Sequence, residues 1–388
     1  MSRVIVLGAG VLGASVAYHL AVAGAGVTVI EAGGPAAGTS SATFSIDVTH
    51  LKTPHSYYEL NRRSANEHIA LGEELGGPTW RHPMPLVQWG HTELEQRAIR
   101  ERAVRLQSWG HPCRFADPTD LAELAPTADP GACAAEELVV HDRSAWYDAP
   151  QFVRRLLDHA ALLGADIRYG LKATGLIRSG DRVVGVETGA RRWEADWVVN
   201  CAGADADRIA RLAGTSLPLT EIPGLVGEST PVPEPGLHAI LATPGVDLRP
   251  APGSRICSIS WPVDAMLPSG AEPGGDLGLE GELHRRGQEI LPALRTARLA
   301  GARLGVRPVP VDGLPLVGTS PETAGLYTVV THSGVNLAPV LGRLAAEEIT
   351  SGRQNPALAP YRPTRDVAAG VQDESLQVMS DQPSLAGG

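Results

Sequence analysis

Residues 3–31 read RVIVLGAGVLGASVAYHLAVAGAGVTVIE, and the architecture of the chain can be argued outward from them. The segment opens with a short apolar strand, Arg3–Leu7, passes through a glycine-rich turn into an apolar helix, and returns to a second strand, Val27–Ile30, followed by Glu31. A strand, a crossover helix and another strand predict a βαβ unit with a parallel sheet. The chain is therefore expected to begin with a Rossmann-like nucleotide-binding unit.

Each part of this unit has a physical task with a dinucleotide. Gly8 permits the tight turn, Gly10 lets the backbone approach a pyrophosphate, and Gly13 lets helix and strand pack closely. The unpaired N–H groups at the start of the helix attract phosphates. Glu31 follows at the distance expected of an acid that accepts hydrogen bonds from a ribose hydroxyl. The alternative is an ordinary glycine-rich turn with Glu31 exposed to solvent.

The composition narrows the class of protein. With 388 residues, 43% hydrophobic and 20% charged, the chain predicts a globular enzyme of one or two domains. A net charge of −10 gives no excess of positive charge that would attract nucleic acid, so no nucleic-acid partner is expected. No apolar run approaches the roughly 20 residues of a membrane span, and no signal peptide is recognised. The four cysteines lack metal or redox spacing, which favours reduced thiols and a cytoplasmic location.

Basic residues are almost all arginine. The only two lysines are Lys52 and Lys172. The skew therefore leads us to expect no lysine at most candidate sites.

Apolar periodicity outlines the remaining elements. Helices are predicted over 56–76, 92–110, 117–124, 151–163, 205–213, 281–291 and 337–350. Strands are predicted over 84–89, 166–169, 173–179, 182–188, 193–200, 238–242, 255–261, 300–307 and 326–331. Residues 217–275 are rich in proline and glycine, which suggests an antiparallel sheet with long loops. The chain becomes polar after Asn355, and its last part is expected to be disordered.

A second constellation lies near the end of the folded region. Residues 331–343 read THSGVNLAPVLGR, which predicts a strand, a glycine-containing turn and a helix with one apolar face. Its helix N-terminus would suit the electron-rich edge of a flavin, which gains negative charge on reduction. The run GVRPVPVDGLPLVG, residues 305–318, stands just upstream.

With these motifs the chain resembles the flavin-dependent amino acid oxidase family, the group of D-amino acid oxidase, glycine oxidase and sarcosine oxidase. The resemblance covers nearly the whole chain in order, and its two closing motifs are the most discriminating. The matching motifs are Gly8–Gly13 with Glu31, Gly38-Thr39-Ser40, Val198–Ala204, Arg307–Gly318 and His332–Arg343.

The resemblance implies bound FAD and a set of cofactor contacts. Gly8, Gly10 and Gly13 would hold the pyrophosphate and Glu31 the adenosine ribose. The other implied FAD contacts are Gly38, Thr39, Ser40, Ala202, Gly203, Gly334, Val335, Asn336 and Leu337. No cysteine lies between Arg307 and Gly318, where sarcosine oxidases attach their flavin, so FAD is expected to be non-covalent.

The resemblance also implies substrate contacts. Arg307 matches the arginine that grips a substrate carboxylate, for which a guanidinium is well suited; the alternative is a structural ion pair. His332 could tune the flavin or contact substrate, or be a structural histidine. His50 lies in a loop that lines the flavin face in relatives, and otherwise is a solvated loop residue. Trp261 is expected to end a strand, as a core or interface residue more than a substrate contact.

The fold class implied is α/β, with a discontinuous Rossmann-like FAD-binding domain and an α+β substrate domain containing an antiparallel sheet. The FAD-binding domain is expected to comprise 1–80, 145–218 and 300–362. The substrate domain would comprise 81–144 and 219–299, and 363–388 would form a disordered tail.

The expected reaction is oxidation of a C–N bond of an amino acid or related amine. The amine would bind in its neutral form, hydride would pass to flavin N5, and the imine would hydrolyse or cyclise, without a strong side-chain base. Oxygen is the expected electron acceptor. The strand at 256–261 lacks the lysine that sarcosine oxidases use for oxygen activation, so another electron acceptor is the alternative. The alternatives are a nicotinamide-dependent dehydrogenase, a flavoprotein monooxygenase or specialised dehydrogenase, and a protein with purely structural FAD.

Overall fold

A computed structural model describes residues 2–77, 80–268, 270–272, 277–319 and 321–367. The helices are α1 (Val11–Val22), α2 (His55–Glu74), α3 (Glu93–Ser108), α4 (Leu121–Leu124), α5 (Ala149–Leu162), α6 (Ala206–Leu212), α7 (Trp261–Asp264), α8 (Glu280–Ile290) and α9 (Gly334–Ser351). The strands are β1 (Arg3–Leu7), β2 (Gly26–Ile30), β3 (Arg81–Pro83), β4 (Leu86–Gln88), β5 (Cys113–Ala116), β6 (Leu138–His141), β7 (Ala145–Tyr147), β8 (Asp166–Arg168), β9 (Gly175–Ser179), β10 (Arg182–Thr188), β11 (Arg191–Glu194), β12 (Trp197–Asn200), β13 (Leu219–Ser229), β14 (Ile240–Ala242), β15 (Asp247–Ala251), β16 (Arg255–Ile259), β17 (Leu299–Pro310), β18 (Leu316–Thr319) and β19 (Leu326–Val330).

The predicted βαβ unit forms the centre of the first sheet. Within the described ranges this sheet has six strands in the order β18-β19-β12-β1-β2-β8, and only β18 runs antiparallel to its neighbour. β1 pairs in parallel with both β2 and β12, so the turn after Leu7 opens at the carboxyl edge of the sheet. Ligands of open α/β sheets bind at this edge. The Rossmann-like fold class is confirmed.

Helix α1 is enclosed by protein. It packs against β1 and β2, α5 and α9, and ten of its twelve residues are buried. The Ser15 hydroxyl donates to the Ala338 carbonyl of α9 over 2.6 Å. At Gly342 of α9, a Cβ would lie 2.2 Å from the Ser15 Oγ, so the two helices approach closely only because that position carries no side chain.

The second sheet is the predicted antiparallel one, with a single parallel pair. In the described part of the chain it has eight strands in the order β17-β13-β16-β15-β14-β4-β6-β5, and only β14 and β4 pair in parallel. Its longest pairing joins β13 to β17. Sheet membership thus differs from the predicted division, which grouped 300–310 with the nucleotide-binding segments.

Several local predictions need correction. The strand expected over 193–200 is split into β11 and β12, which lie in different sheets. The break falls at Asp196, whose carboxylate accepts a hydrogen bond from the Arg3 amide over 2.8 Å. The strand expected over 255–261 ends at Ile259. Trp261 instead begins α7, because Ser260 accepts from the Val263 amide as N-cap and Pro262 fits the first turn.

The end of the chain is packed further than predicted. Tyr361 is buried, and Arg362 forms an ion pair with Glu348 of α9. Arg365 pairs with the buried Asp312 over 2.7 Å, inside the tail expected to be disordered from 363. The remainder of that predicted tail, 368–388, lies outside the described residues. None of the described helices is both long and apolar enough to cross a bilayer.

The close approach of α1 and α9 predicts the effect of a small substitution. Gly342→Ala should lower the free energy of unfolding by about 1–3 kcal/mol, because its methyl group overpacks against Ser15. Gly281→Ala in α8 is the matched control, since a Cβ there meets no described atom within 4 Å. It should be neutral or stabilise by up to about 1 kcal/mol. Urea unfolding of both variants checks this, and equal stability of the two would contradict it.

Candidate functional site

A cavity of about 920 Å³ is lined by residues from both sheets. Its volume lies near the top of the range for ligand pockets, at about 300–1,000 Å³, which is ample for a dinucleotide. Among the predicted site residues, its wall contains Gly8, Gly10, Glu31, Gly38, Thr39, Ser40, Ala202, Gly203, Arg307, His332, Gly334, Val335 and Asn336.

The glycine turn has the geometry expected from its sequence. Gly8 has a φ of +105°, and a Cβ there would lie 2.5 Å from the Cys201 carbonyl oxygen. At Gly13 a Cβ would lie 2.0 Å from the Gly8 carbonyl oxygen, so helix and turn pack without space for a methyl group. Gly8 thus adopts a backbone conformation that favours glycine, and Gly13 permits the close packing. Gly13 itself lies behind the wall.

Acceptors surround the start of α1. Glu31 accepts from the Ala9 amide over 2.7 Å and from the Gly33 amide over 2.6 Å, which holds its carboxylate beside the turn. Ser40 Oγ accepts from the Val11 amide over 3.1 Å. The loop that carries Ser40 is therefore held at the helix N-terminus, where a phosphate would bind.

The turn before Gly334 leads into the N-terminus of α9, which is the second helix that begins at the cavity. α9 begins at Gly334, and its N-cap Ser333 makes no side-chain capping bond. Asn336 donates from Nδ2 to Asn61 over 2.7 Å, while its Oδ1 is buried with no hydrogen-bond partner among the described residues. That oxygen is available to a ligand in the cavity. Leu337 is fully buried in the core and does not line the wall.

Arg307 forms the ion pair that the sequence offered as the alternative to substrate binding, and it also lines the cavity. Its Nη2 pairs with Asp264 over 3.0 Å, and its guanidinium lies 4.7 Å from the centre of the Trp261 ring. Its Nη1 is buried and has no partner in the described structure. Gly224 leaves the necessary space, since a Cβ there would lie 2.0 Å from Nη2. The ion pair fixes the guanidinium, and one nitrogen remains for a ligand.

Asp264 is a well-anchored partner for that arginine. Its Oδ1 accepts from the Leu225 amide over 2.7 Å, and its side chain is only 7% exposed. Burial raises the pKa of Asp264, and the nearby Arg307 charge opposes that increase. The strand that carries Arg307, β17, is also bonded to the loop that carries Ser40, because Thr39 Oγ1 donates to the Val306 carbonyl over 2.6 Å.

A lysine lies at this site, contrary to the expectation from composition. The buried Lys52 Nζ lies 3.2 Å from His332 Nε2, and both residues line the cavity. Burial, Lys52 and Arg307 together hold the pKa of His332 well below its ordinary value. A neutral His332 can accept from the ammonium group. The only signal in the sequence was that Lys52 is one of two lysines in an arginine-rich chain.

His50 is placed one layer behind the wall. It is buried, but the cavity is lined at this point by Gln88, whose amide nitrogen lies 3.4 Å from His50 Nε2. Gln88 Oε1 lies 3.1 Å from His141 Nε2, and His141 Nδ1 lies 3.1 Å from His111 Nε2. The Tyr58 hydroxyl then lies 3.3 Å from His111 Nδ1. His50 can therefore affect the cavity only indirectly.

These five side chains form one polarised hydrogen-bond chain. An amide offers a donor at nitrogen and an acceptor at oxygen, so the orientation of Gln88 sets the tautomer of each histidine in turn. In either orientation, every bond in the chain can run in the same direction. Burial lowers the pKa of His141 to about 3 and that of His111 to about 4, and it lowers the pKa of His50 well below the ordinary value. The three imidazoles are thus neutral at physiological pH.

Comparisons with known proteins agree with this geometry. A family profile described as FAD dependent oxidoreductase matches residues 3–348. A glycine oxidase of Geobacillus kaustophilus (strain HTA426) is 27% identical over 379 residues, covering 95% of this chain and 98% of that protein. A D-amino acid dehydrogenase of Methylobacterium radiotolerans is 26% identical over 441 residues, covering 95% of this chain and 99% of that protein. The crystal structure of a Geobacillus kaustophilus glycine oxidase superposes with a TM-score of 0.84 at 24% identity, over 94% of this chain and 100% of that one.

The neutral histidines predict loss of stability in mild acid. The unfolded chain binds protons below about pH 6.5, whereas folded His141 and His111 resist protonation until about pH 3 and pH 4. The contribution of these histidines to stability is therefore full above about pH 6.5 and is lost as the pH falls through this window. Between pH 6.5 and 5.5 each such histidine should contribute a loss of about 1 kcal/mol.

Urea unfolding across that pH range measures the slope. His141→Gln should reduce the slope by about one histidine's share, whatever its effect on stability at pH 7.5. His91→Gln, at an exposed position, should leave the slope unchanged. An unaltered slope in the His141 variant would contradict the assignment.

Proposed function

This chain belongs to the family of FAD-dependent oxidoreductases, and on that premise we propose that it oxidises the C–N bond of an amino acid or a related amine. The main observation behind this proposal is the Arg307 guanidinium on the cavity wall, which Asp264 holds in place by an ion pair. Its Nη1 has no hydrogen-bond partner in the described structure. A buried, permanently charged donor of this kind suits a substrate carboxylate. The family assignment favours FAD over the nicotinamide cofactor considered from the sequence.

The residues present fit FAD. The turn at Gly8–Gly13 and the N-terminus of α1 would hold the pyrophosphate, with Gly38, Thr39 and Ser40 beside it. Glu31 would bind the ribose through lone pairs that the Ala9 and Gly33 amides leave unused. Ala202, Gly203 and the turn at Gly334–Asn336 would flank the flavin, where the Asn336 Oδ1 needs a donor.

We propose that FAD binds without a covalent bond. Cys201 is the cysteine on the cavity wall; it is buried beside Gly8 and Gly13, and burial raises the pKa of its thiol far above the ordinary value. A protonated thiol at the pyrophosphate turn is a poor nucleophile toward a flavin ring. All four cysteines are free thiols, which supports placing the protein in the cytoplasm.

When bound, FAD supplies the hydride acceptor, at N5 of its ring. The protein's own task is positioning. Arg307 would bind the carboxylate, and the Trp261 ring below the guanidinium limits its movement. These contacts would hold the α-carbon at a fixed place in the cavity, which lowers the entropic part of the barrier. The imine would then leave for hydrolysis or cyclisation.

Oxygen is the proposed electron acceptor. Reduction of oxygen develops negative charge, which a fixed cation in a water-poor site stabilises. Lys52, beside the neutral His332, is the candidate for that cation. An acceptor other than oxygen would make the protein a dehydrogenase.

The proposed chemistry is tested by anaerobic titration of the holoenzyme with glycine, sarcosine, D-alanine, D-proline and L-proline. We expect at least one compound to bleach the flavin band. With that compound, Arg307→Lys should raise KM by about 10–100-fold, because a single ammonium cannot pair with Asp264 and hold the substrate carboxylate in the geometry that the planar guanidinium allows. Arg303→Lys is the matched control on the same strand, where Arg303 is exposed and pairs with Glu228. Failure of every amine to bleach the flavin would reject the proposal.

The acceptor assignment has its own variant pair. Lys52→Met should lower the rate of reoxidation by oxygen by about 100-fold or more, while reduction by substrate and turnover with an artificial dye persist. Lys172→Met is the control, because Lys172 lines the same cavity next to Leu171, whose amide bonds to the Glu31 carbonyl. It should leave the ratio of oxygen rate to dye rate unchanged. An equal fall of both rates in the Lys52 variant would exclude this role.

A further inference from the structure

One row of side chains crosses the second sheet beneath the cavity. Ala242 of β14 pairs with Gln88 on one side and with Asp247 on the other, and Asp247 pairs with Ile259. Directly paired residues present their side chains on the same face of a sheet. All four line the cavity, so this row is one wall of it. Asp247 is its one ionisable member.

The Asp247 carboxyl is held by the backbone and lacks an opposite charge. Its Oδ1 accepts a hydrogen bond from the Thr243 amide over 3.1 Å. The Thr243 hydroxyl donates to the Val246 carbonyl and so closes the turn between these residues. Among the described residues Asp247 forms no ion pair. Burial raises the pKa of Asp247 to about 7, opposed only by the Thr243 amide. A carboxyl in this state invites a cationic or proton-donating ligand.

Asp247 and Arg307 stand on the same side of the cavity. Ile259, the partner of Asp247, lies two residues before Trp261, and the Trp261 ring lies 4.7 Å below the Arg307 guanidinium. Strand spacings place the two charges on the order of 10 Å apart. That separation suits an ammonium and a carboxylate on one small molecule, each with its own hydrogen bond.

Resting on the proposed function, we propose that Asp247 holds the substrate amine and takes up its proton, while Arg307 holds the carboxylate. The substrate class is then a free α-amino acid with a primary or secondary amine, bound between opposite charges. N-acylated amines and quaternary amines carry no proton that Asp247 could remove. They fall outside this class.

The proton step balances within the pair. An N–H bond of the substrate ammonium breaks, an O–H bond forms on Asp247, and the freed lone pair stays on nitrogen. That lone pair can support the positive charge that develops on the α-carbon as hydride departs to FAD. The neutral amine expected from the sequence is thus produced in the cavity, and a side-chain base takes part after all.

Because of its neighbours, Asp247 is the side chain on this wall of the cavity that can accept a proton. Its sheet neighbours Ala242 and Ile259 are apolar, and Arg249, on the same face of β15, donates to the Phe44 carbonyl. The other titratable side chains lining the cavity near the sheet and α3 are Lys52, Glu95, Glu101, Arg102, Arg105, Arg307 and His332.

The test is anaerobic flavin reduction by the amino acid that bleaches the wild type, followed from pH 6 to 10. In the wild type the rate should rise through about pH 7, where Asp247 becomes ionised. In Asp247→Asn the rise should move up to the titration of the substrate ammonium, with a rate at pH 7 at least about 100-fold lower. Near pH 10 the two should converge. Asp181→Asn, in an exposed turn, is the control.

An Asp247 variant that keeps the wild-type profile would overturn the proposal, whereas wild-type flavin that no amino acid reduces would reject the proposed function itself. A binding measurement decides about Asp247 even then. Calorimetry at pH 8 compares glycine with glycolate, which has a hydroxyl in place of the amine. Wild-type holoenzyme should prefer glycine, and Asp247→Asn should reduce that preference about 10-fold or more. An unchanged ratio of the two Kd values would overturn the role of Asp247.

Discussion

The packing of α1 against α9 is the contact on which the site depends. The Ser15 hydroxyl binds the Ala338 carbonyl, and Gly342 leaves just enough space for it. The contact joins the beginning of the chain to a helix more than 300 residues later. Because both helices start at the cavity, it places two helix N-termini around one cofactor-sized space. Loss of that alignment would separate the two halves of the site.

The second sheet carries the charges that we propose recognise a small substrate. Arg307 comes from the long pair of β13 and β17, and Asp264, at the end of α7, fixes it from the side. An isolated buried arginine would be costly, and the paired carboxylate offsets that cost while leaving one nitrogen available.

Local motifs were readable from the sequence because their function depends on local geometry. The turn at Gly8–Gly13 follows from glycine spacing and has the expected form. The helix after the second glycine turn follows from apolar periodicity, although α9 begins at Gly334, three residues before the predicted start at 337. Lys52 and Asp247 were not predicted. Asp247 reaches the wall through its register with Ala242 and Ile259, and Lys52 through a loop that folds back on His332. Such neighbours are distant in sequence, and no local pattern records them.

The order of elements along the chain also governs how the protein can be made. β1 pairs with β12, and α1 is covered by α9, which begins only at Gly334. At about 5–20 residues per second, a ribosome needs roughly 15–60 s to add that last helix after α1 has emerged. Throughout that interval the face of α1 that α9 later covers is exposed to water or held by a chaperone. Chains that stop before α9 therefore lack both the partner that covers α1 and half of the cofactor site, and become substrates for degradation or aggregation.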